Sequence, residues 1–258
     1  MTGALLDAAT PLSRNRLRAE IAIVLGLSLG ASALYAIVEL IDDLTKAPLK
    51  GQTTALNTPQ SARPTFDLLY QLLGISVAVV PVVLVCYILW QPMRPHLGRL
   101  GVDFRRPMLD SATGLLLAVG VGAAGVGVYL AGRALGITVN VSADNLSAYW
   151  WTVPVLLLSA LRSALQEEFI VIGYLYERLR RLGLGKWTII VSTSVFRGSY
   201  HLYQGFGSFV GNFAMGMLFG WLYNRYGRLL PFVIAHFVID AATFVGYGWA
   251  KATFPGLF

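Results

Sequence analysis

A chain of 258 residues that is 56% hydrophobic and only 13% charged carries about half the charge of an average soluble domain. Apolar runs of bilayer-crossing length recur along it, which excludes a soluble protein with one large core. The net charge of +7 does not point to nucleic acid, because the basic residues cluster in short segments between apolar runs. The single cysteine, Cys86, allows no internal disulfide.

Taken in order, the first apolar run covers residues 19–41. It follows Arg14, Arg16 and Arg18 and is too long for a cleaved signal segment, so it is expected to be the first span. A polar loop with Asp42, Asp43, Lys46 and Lys50 leads to a second span over 68–90, where Trp90 suits an interface. A loop with Pro92, Arg94, Pro95, Arg99, Arg105 and Arg106 precedes a Gly- and Ala-rich third span over 111–131, fit for close helix contact. Asn140-Val141-Ser142 and Asn145-Leu146-Ser147 match the glycosylation acceptor sequence, a short pattern of low specificity. Span four is expected over 151–176, span five over 187–203, span six over 209–226 and span seven over 230–247. Gly216 and Gly220, spaced G-x-x-x-G, read as a packing seam.

The fold expected is therefore all-α: a polytopic transmembrane helix bundle of about seven spans in the cell membrane. Lys and Arg gather in the N-terminal segment and the even-numbered loops, which puts the N-terminus in the cytoplasm. The reading divides the chain into a three-span region, 1–150, with no recognisable motif, and a four-helix core, 151–258. No soluble domain, internal repeat or low-complexity tract is evident.

The core carries ionisable groups inside apolar runs, where charge costs several kcal/mol and usually marks function. They are Glu167 and Glu168 in span four, Arg197 and His201 in span five, and His236 and Asp240 in span seven. At 1.5 Å rise per residue, Glu167 lies roughly 16 Å from the cytoplasmic end marked by Arg178, and His201 roughly 22 Å from Lys186. His236 and Asp240 lie roughly 12 and 18 Å from Arg228. Groups on three helices thus fall in one layer of the membrane.

The chemistry follows from the residue types. Adjacent Glu167 and Glu168 point about 100° apart on a helix, so one can face a cavity while the other meets a neighbouring helix. His236 and Asp240, at i and i+4, share a face and can hold a substrate oxygen or a metal. A carboxylate base, imidazoles and a water suffice for amide hydrolysis without a covalent intermediate. Two His with carboxylates also suit Zn(2+) with one position left for water, its ligands then Glu167, His201, His236 and Asp240. Structural readings stand beside these: helix clamps for the His residues, and neutralisation of the acidic pair by Arg162 or Arg197.

The residues Glu167-Glu168, His201 and His236-Phe237-Val238-Ile239-Asp240 resemble the E-E-x-x-x-R, F-x-x-x-H and H-x-x-x-[ND] motifs of the CPBP intramembrane proteases. That family includes CAAX prenyl proteases and bacteriocin-immunity proteins. The resemblance covers roughly residues 155–244. It implies an intramembrane endopeptidase, of glutamate or metallo type, in which Glu167 is the general base on water and His201 assists. His236 and Asp240 would be the oxyanion-side pair or metal ligands, with Glu168 supporting. The implied partners are a membrane protein or lipidated peptide substrate and the lipid bilayer, with no nucleic acid.

Two positions depart from the motifs. Ile172 stands where the first motif has Arg, and Phe196 is five residues before His201, with Arg197 at the four-residue position. Arg197 is expected to replace the missing Arg by pairing with Glu168 across the helix interface. Two other functions compete with hydrolysis: a non-catalytic scaffold or immunity protein using the same cavity, and a transporter with Glu167 and His201 as proton relays.

Overall fold

The structure, a computed structural model, describes residues 13–90 and 96–254. Pro92, Arg94 and Pro95 of the second loop lie outside the described residues. The chain is nearly all helix: α1 (Arg14–Gly26), α2 (Leu29–Lys46), α3 (Pro64–Ile88), the short α4 (His96–Arg99), α5 (Pro107–Ala134), α6 (Thr152–Glu167), α7 (Leu175–Arg181), α8 (Lys186–Ser199), α9 (Phe206–Tyr226) and α10 (Leu230–Thr253). Local chemistry starts these helices where they start. Pro stands in the first turn of α3, α5 and α10, where its missing N–H costs nothing. The Ser13 hydroxyl accepts from the Arg16 N–H to cap α1.

By length and composition, α3, α5 and α10 are apolar enough to cross a membrane, and α1 with α2, bent by 60° at the break between them, are so only when taken together as one broken span. The protein is thus a multi-pass helical membrane protein. The expected first span, 19–41, is broken by this bend: Ser28 turns its hydroxyl back to the Val24 carbonyl (2.6 Å) at the break, an arrangement that hydropathy does not register. Exposed Leu34 and Val38 on α2, Leu73, Val77 and Val80 on α3, and Leu116 and Val119 on α5 give these helices an apolar outer surface.

Two short strands, β1 (Thr53–Asn57) and β2 (Asn140–Asp144), pair in parallel with Thr53 opposite Asn140. They join segments read from sequence as plain loops and bring the connections after α2 and α5 to the same end of the bundle. At the opposite end, Arg228 after α9 donates to Asp103 (2.8 Å) and Asp110 (2.5 and 2.8 Å). There also, Glu20 of α1 accepts from Arg178 (2.6 Å) and Tyr174 (2.9 Å).

The fourth expected span is one helical rod of three parts: α6, a π-helical segment (Glu168–Tyr174) and α7. The π turn shows in the Leu175 N–H donating to the Ile170 carbonyl, five residues back. Such turns are rare and often sit at functional sites. This one begins at Glu168. Gln166, one residue before the carboxylate pair, ties the rod to α3 by donating to the Ala78 carbonyl at 2.7 Å.

α8 and α9 pack closely. A Cβ on Gly216 would lie 2.9 Å from Ser194 Oγ, and one on Gly220 would strike the Tyr176 hydroxyl, so the G-x-x-x-G seam is a packing device. α5 runs along α10 and against α9, and α3 packs on α6.

Candidate active site

Glu168 and Arg197 form the buried centre. Both side chains have 0% exposure, and Arg197 Nη2 donates to Glu168 Oε1 at 2.7 Å. The Arg thus comes from α8 to the carboxylate whose own helix carries Ile172 at the motif position. His236 of α10 places Nδ1 2.8 Å from the same Glu168 oxygen. A carboxylate can only accept, so Nδ1 carries the hydrogen and the 3.1 Å Arg197–His236 separation is an approach of two donors. Arg197 also lies over the Phe219 ring, 5.6 Å from its centroid.

Glu167 takes the other direction that the helix allows and lines the cavity. Its Oε2 accepts from the Tyr200 hydroxyl at 2.8 Å and lies 3.2 Å from Arg197 Nη2. Its Oε1 is 3.7 Å from His201 Nε2, beyond hydrogen-bond reach and of a span that a water bridges. Neither ring nitrogen of His201 has a hydrogen-bond partner among the described residues. His236 Nε2 stands 3.4 Å from Asp240 Oδ2. The His201 and Asp240 side chains are 18% and 20% exposed and line the cavity, with both His201 ring nitrogens enclosed, while Glu168 and Arg197 are sealed behind them.

The cavity holds about 1240 Å³ and is walled by α5, α6, α9 and α10, with Glu167, Tyr200, His201, His236 and Asp240 on its lining. A smaller one, about 200 Å³, lies near Arg99, Tyr176 and Arg180 and holds none of these groups.

The structure brings together all six residues singled out from the sequence, and corrects one placement. His201 is not inside a fifth span: α8 ends at Ser199 and the chain turns, with the His201 N–H donating to the Gly198 carbonyl, into a 3₁₀ turn (Leu202–Gln204). Gly205 makes the reversal with φ +95, and a Cβ there would press on the Ile137 carbonyl at 2.5 Å. Depth counted along a straight helix therefore does not apply to His201. Tyr200 was missed. Its only sequence signal is adjacency to His201, and tyrosine fits a membrane interface or a core equally well.

The donor set does not fit a metal ion in this arrangement. Among the described residues no group of three or more His, Cys, Asp or Glu side chains could hold one. The Arg197 guanidinium lies against one oxygen of each glutamate, where its charge offsets theirs and repels a cation.

Fold and site together define a multi-pass helical membrane protein with a buried acid–imidazole cluster open to an intramembrane cavity. Residues 149–242 match the family model described as Rce1-like, type II CAAX prenyl endopeptidase Rce1-like, and so place this region in the CPBP/CAAX protease family, a family of membrane-embedded proteases. No curated protein and no solved structure matches the chain. The matched region runs from just before α6 into α10 and contains every member of the cluster.

Proposed function

We propose that the chain is an intramembrane endopeptidase of glutamate type that hydrolyses a peptide bond of a membrane-associated protein or lipidated peptide in the cell membrane. The observation that carries this is the facing of Glu167 Oε1 and His201 Nε2 across 3.7 Å at the cavity wall. The second Glu167 oxygen is held by Tyr200 and Arg197, so the free oxygen and the imidazole address one water between them. The clustering of chain connections at two opposite ends supports seven crossings, and the basic bias of one set supports a cytoplasmic N-terminus.

Glu167 takes a proton as the water oxygen attacks the carbonyl carbon, with His201 orienting the same water. The developing oxyanion meets His236 Nε2–H, a donor charged when the imidazole carries both hydrogens. Asp240 and Glu168 flank that ring and stabilise the charge. The proton held by Glu167 then passes to the leaving nitrogen as the C–N bond breaks, giving an acid and an amine. Arg197 is a positioning residue: it fixes both glutamates and touches no reacting atom. No step passes through a metal.

The test is cleavage of lipidated peptides by purified full-length protein in proteoliposomes, read by mass spectrometry. Glu167→Ala and His236→Ala abolish cleavage while expression and folding persist. Metal analysis of the same preparation, and of His236→Ala, finds no stoichiometric zinc. Cleavage retained by Glu167→Ala overturns the assignment of the base. Zinc that is lost with His236→Ala overturns the glutamate mechanism.

A further inference from the structure

The second cavity, of about 200 Å³, holds no member of the acid–imidazole cluster. That is smaller than a pocket for a drug-sized ligand, about 300–1,000 Å³, and suits one compact group. Arg99 of α4, Arg180 of α7 and Tyr223 of α9 line it, so three helices converge there. Its donors are largely free. Arg99 makes no hydrogen bond among the described residues, and its ion pair with Glu177 Oε1 is 3.9 Å long. Arg181 holds that same oxygen at 2.7 Å. Arg180 spends one donor on Asn224 Oδ1 at 3.2 Å. The Tyr223 ring is set edge-on by Tyr176 and Phe232. Its hydroxyl makes no hydrogen bond among the described residues and feels the charges of Arg180, Glu177 and Arg99. Three arginines against one carboxylate leave the surroundings cationic.

The level of this pocket decides what reaches it. Trp187 stands at the start of α8, and Trp221 and Tyr226 lie in the last two turns of α9, all three exposed, at the end of the bundle where Arg228 lies. Exposed Trp and Tyr at helix ends mark the headgroup level of a bilayer, where the abundant anion is lipid phosphate. Basic pockets between membrane helices at that level take anionic head groups, and a guanidinium fork matches phosphate oxygens. We propose that this pocket binds the phosphate of an anionic membrane lipid through Arg99, Arg180 and the Tyr223 hydroxyl. The bound head group ties α4, α7 and α9 together beside Gly173, which lines the pocket from the π-helical segment. It therefore braces the rod that carries Glu167 and Glu168. The site is apart from the large cavity and does not depend on the endopeptidase reading.

The experiment is thermal unfolding of the full-length protein, stripped of lipid in detergent. The probes are didodecanoyl phosphatidylglycerol, didodecanoyl phosphatidylcholine and sodium phosphate. Phosphatidylglycerol is expected to raise the midpoint saturably, by roughly 5 °C at saturation, and the other two by much less. Arg99→Gln/Arg180→Gln cuts that rise to less than about half, and Tyr223→Phe lowers it in part. Arg14→Gln/Arg16→Gln, which removes the same charge from exposed positions at the same end, keeps the rise and excludes general attraction to an anionic micelle. A rise that survives the Arg99/Arg180 change, or that falls equally with the Arg14/Arg16 change, overturns the proposal. So does the absence of any rise, or an equal rise with phosphatidylcholine. An equal rise with sodium phosphate makes this a site for a free anion and overturns the lipid assignment. Both arginine side chains are exposed, so the double variant is expected to fold. Should it fail to, Tyr223→Phe decides, and a full rise in that variant overturns the site.

Discussion

Arg197 and Glu168 are paired at 2.7 Å with neither side chain exposed at all. Each therefore depends on the other, and the guanidinium reaches Glu167 as well. Removing one member of a buried pair strands the other charge, which typically costs 3–5 kcal/mol, roughly, whereas replacing both by apolar groups is often close to neutral. Arg197→Leu is expected to lower the thermal unfolding temperature sharply and to abolish cleavage. The double variant Arg197→Leu/Glu168→Leu is expected to recover most of the stability and none of the activity. Thermal unfolding in detergent with a cleavage assay checks both; a stable, active Arg197→Leu protein would show that the pair positions nothing.

Tyr200 gives a gentler probe of the same carboxylate. Its hydroxyl is the donor on Glu167 Oε2 at 2.8 Å, and a hydrogen bond to a charged group contributes about 1.5–3 kcal/mol. Tyr200→Phe keeps the ring against Phe196 and removes only the donor. We expect kcat to fall by about ten- to a hundredfold with KM little changed, because the residue orients the base rather than holding substrate. A rise in KM with kcat intact would move Tyr200 from the base to the substrate.

These two residues also mark what the sequence reveals. An ionisable group in an apolar run is conspicuous because the bilayer makes it costly, so Glu167, Glu168, Arg197, His201, His236 and Asp240 could all be picked out. The Arg197–Glu168 pairing was legible as one arginine absent at Ile172 and one gained nearby. Tyr200 carries no such mark. Helix ends are also hard to read: hydropathy falls across Arg197-Gly198-Ser199-Tyr200-His201, a drop that fits polar groups within a span as well as the end of α8. The 60° bend between α1 and α2 lies in an unbroken apolar run. The β1–β2 ribbon joins segments far apart in the chain, whose local patterns say nothing of each other.

The α8–α9 seam positions this turn, and Gly216 tests it. A Cβ there would sit 2.9 Å from Ser194 Oγ and 3.1 Å from its Cα, so the backbone of α8 must move. Gly216→Ala is expected to cost roughly 1–3 kcal/mol by overpacking and to reduce cleavage by displacing α8, which carries Arg197. Gly211→Ala, whose Cβ would meet only Val128 at 3.6 Å, serves as the tolerated control on the same helix. Equal behaviour of the two variants in thermal unfolding would remove the case for a close seam.

The last expectation concerns pH at the end of the bundle where Arg228 lies. Asp103 stands outside the membrane-spanning helices. The Arg228 guanidinium, which donates to it at 2.8 Å, and the Arg105 N–H beside it hold its carboxyl below the usual carboxylate range. A carboxyl whose folded value is depressed favours the folded state above its unfolded value, about 3.9. That contribution is lost as pH falls through the lower, folded value. Wild-type stability should therefore be level from pH 7 to about 5 in this respect and fall below pH 4, where the Asp103–Arg228 bond is protonated away. Asp103→Asn should be slightly less stable at pH 7 and show a shallower acid decline, a difference narrowed by salt because Asp103 faces water. Unfolding curves for the two proteins in detergent at pH 3 to 7 check this, and parallel curves throughout would mean that Arg228 draws its hold from Asp110 alone.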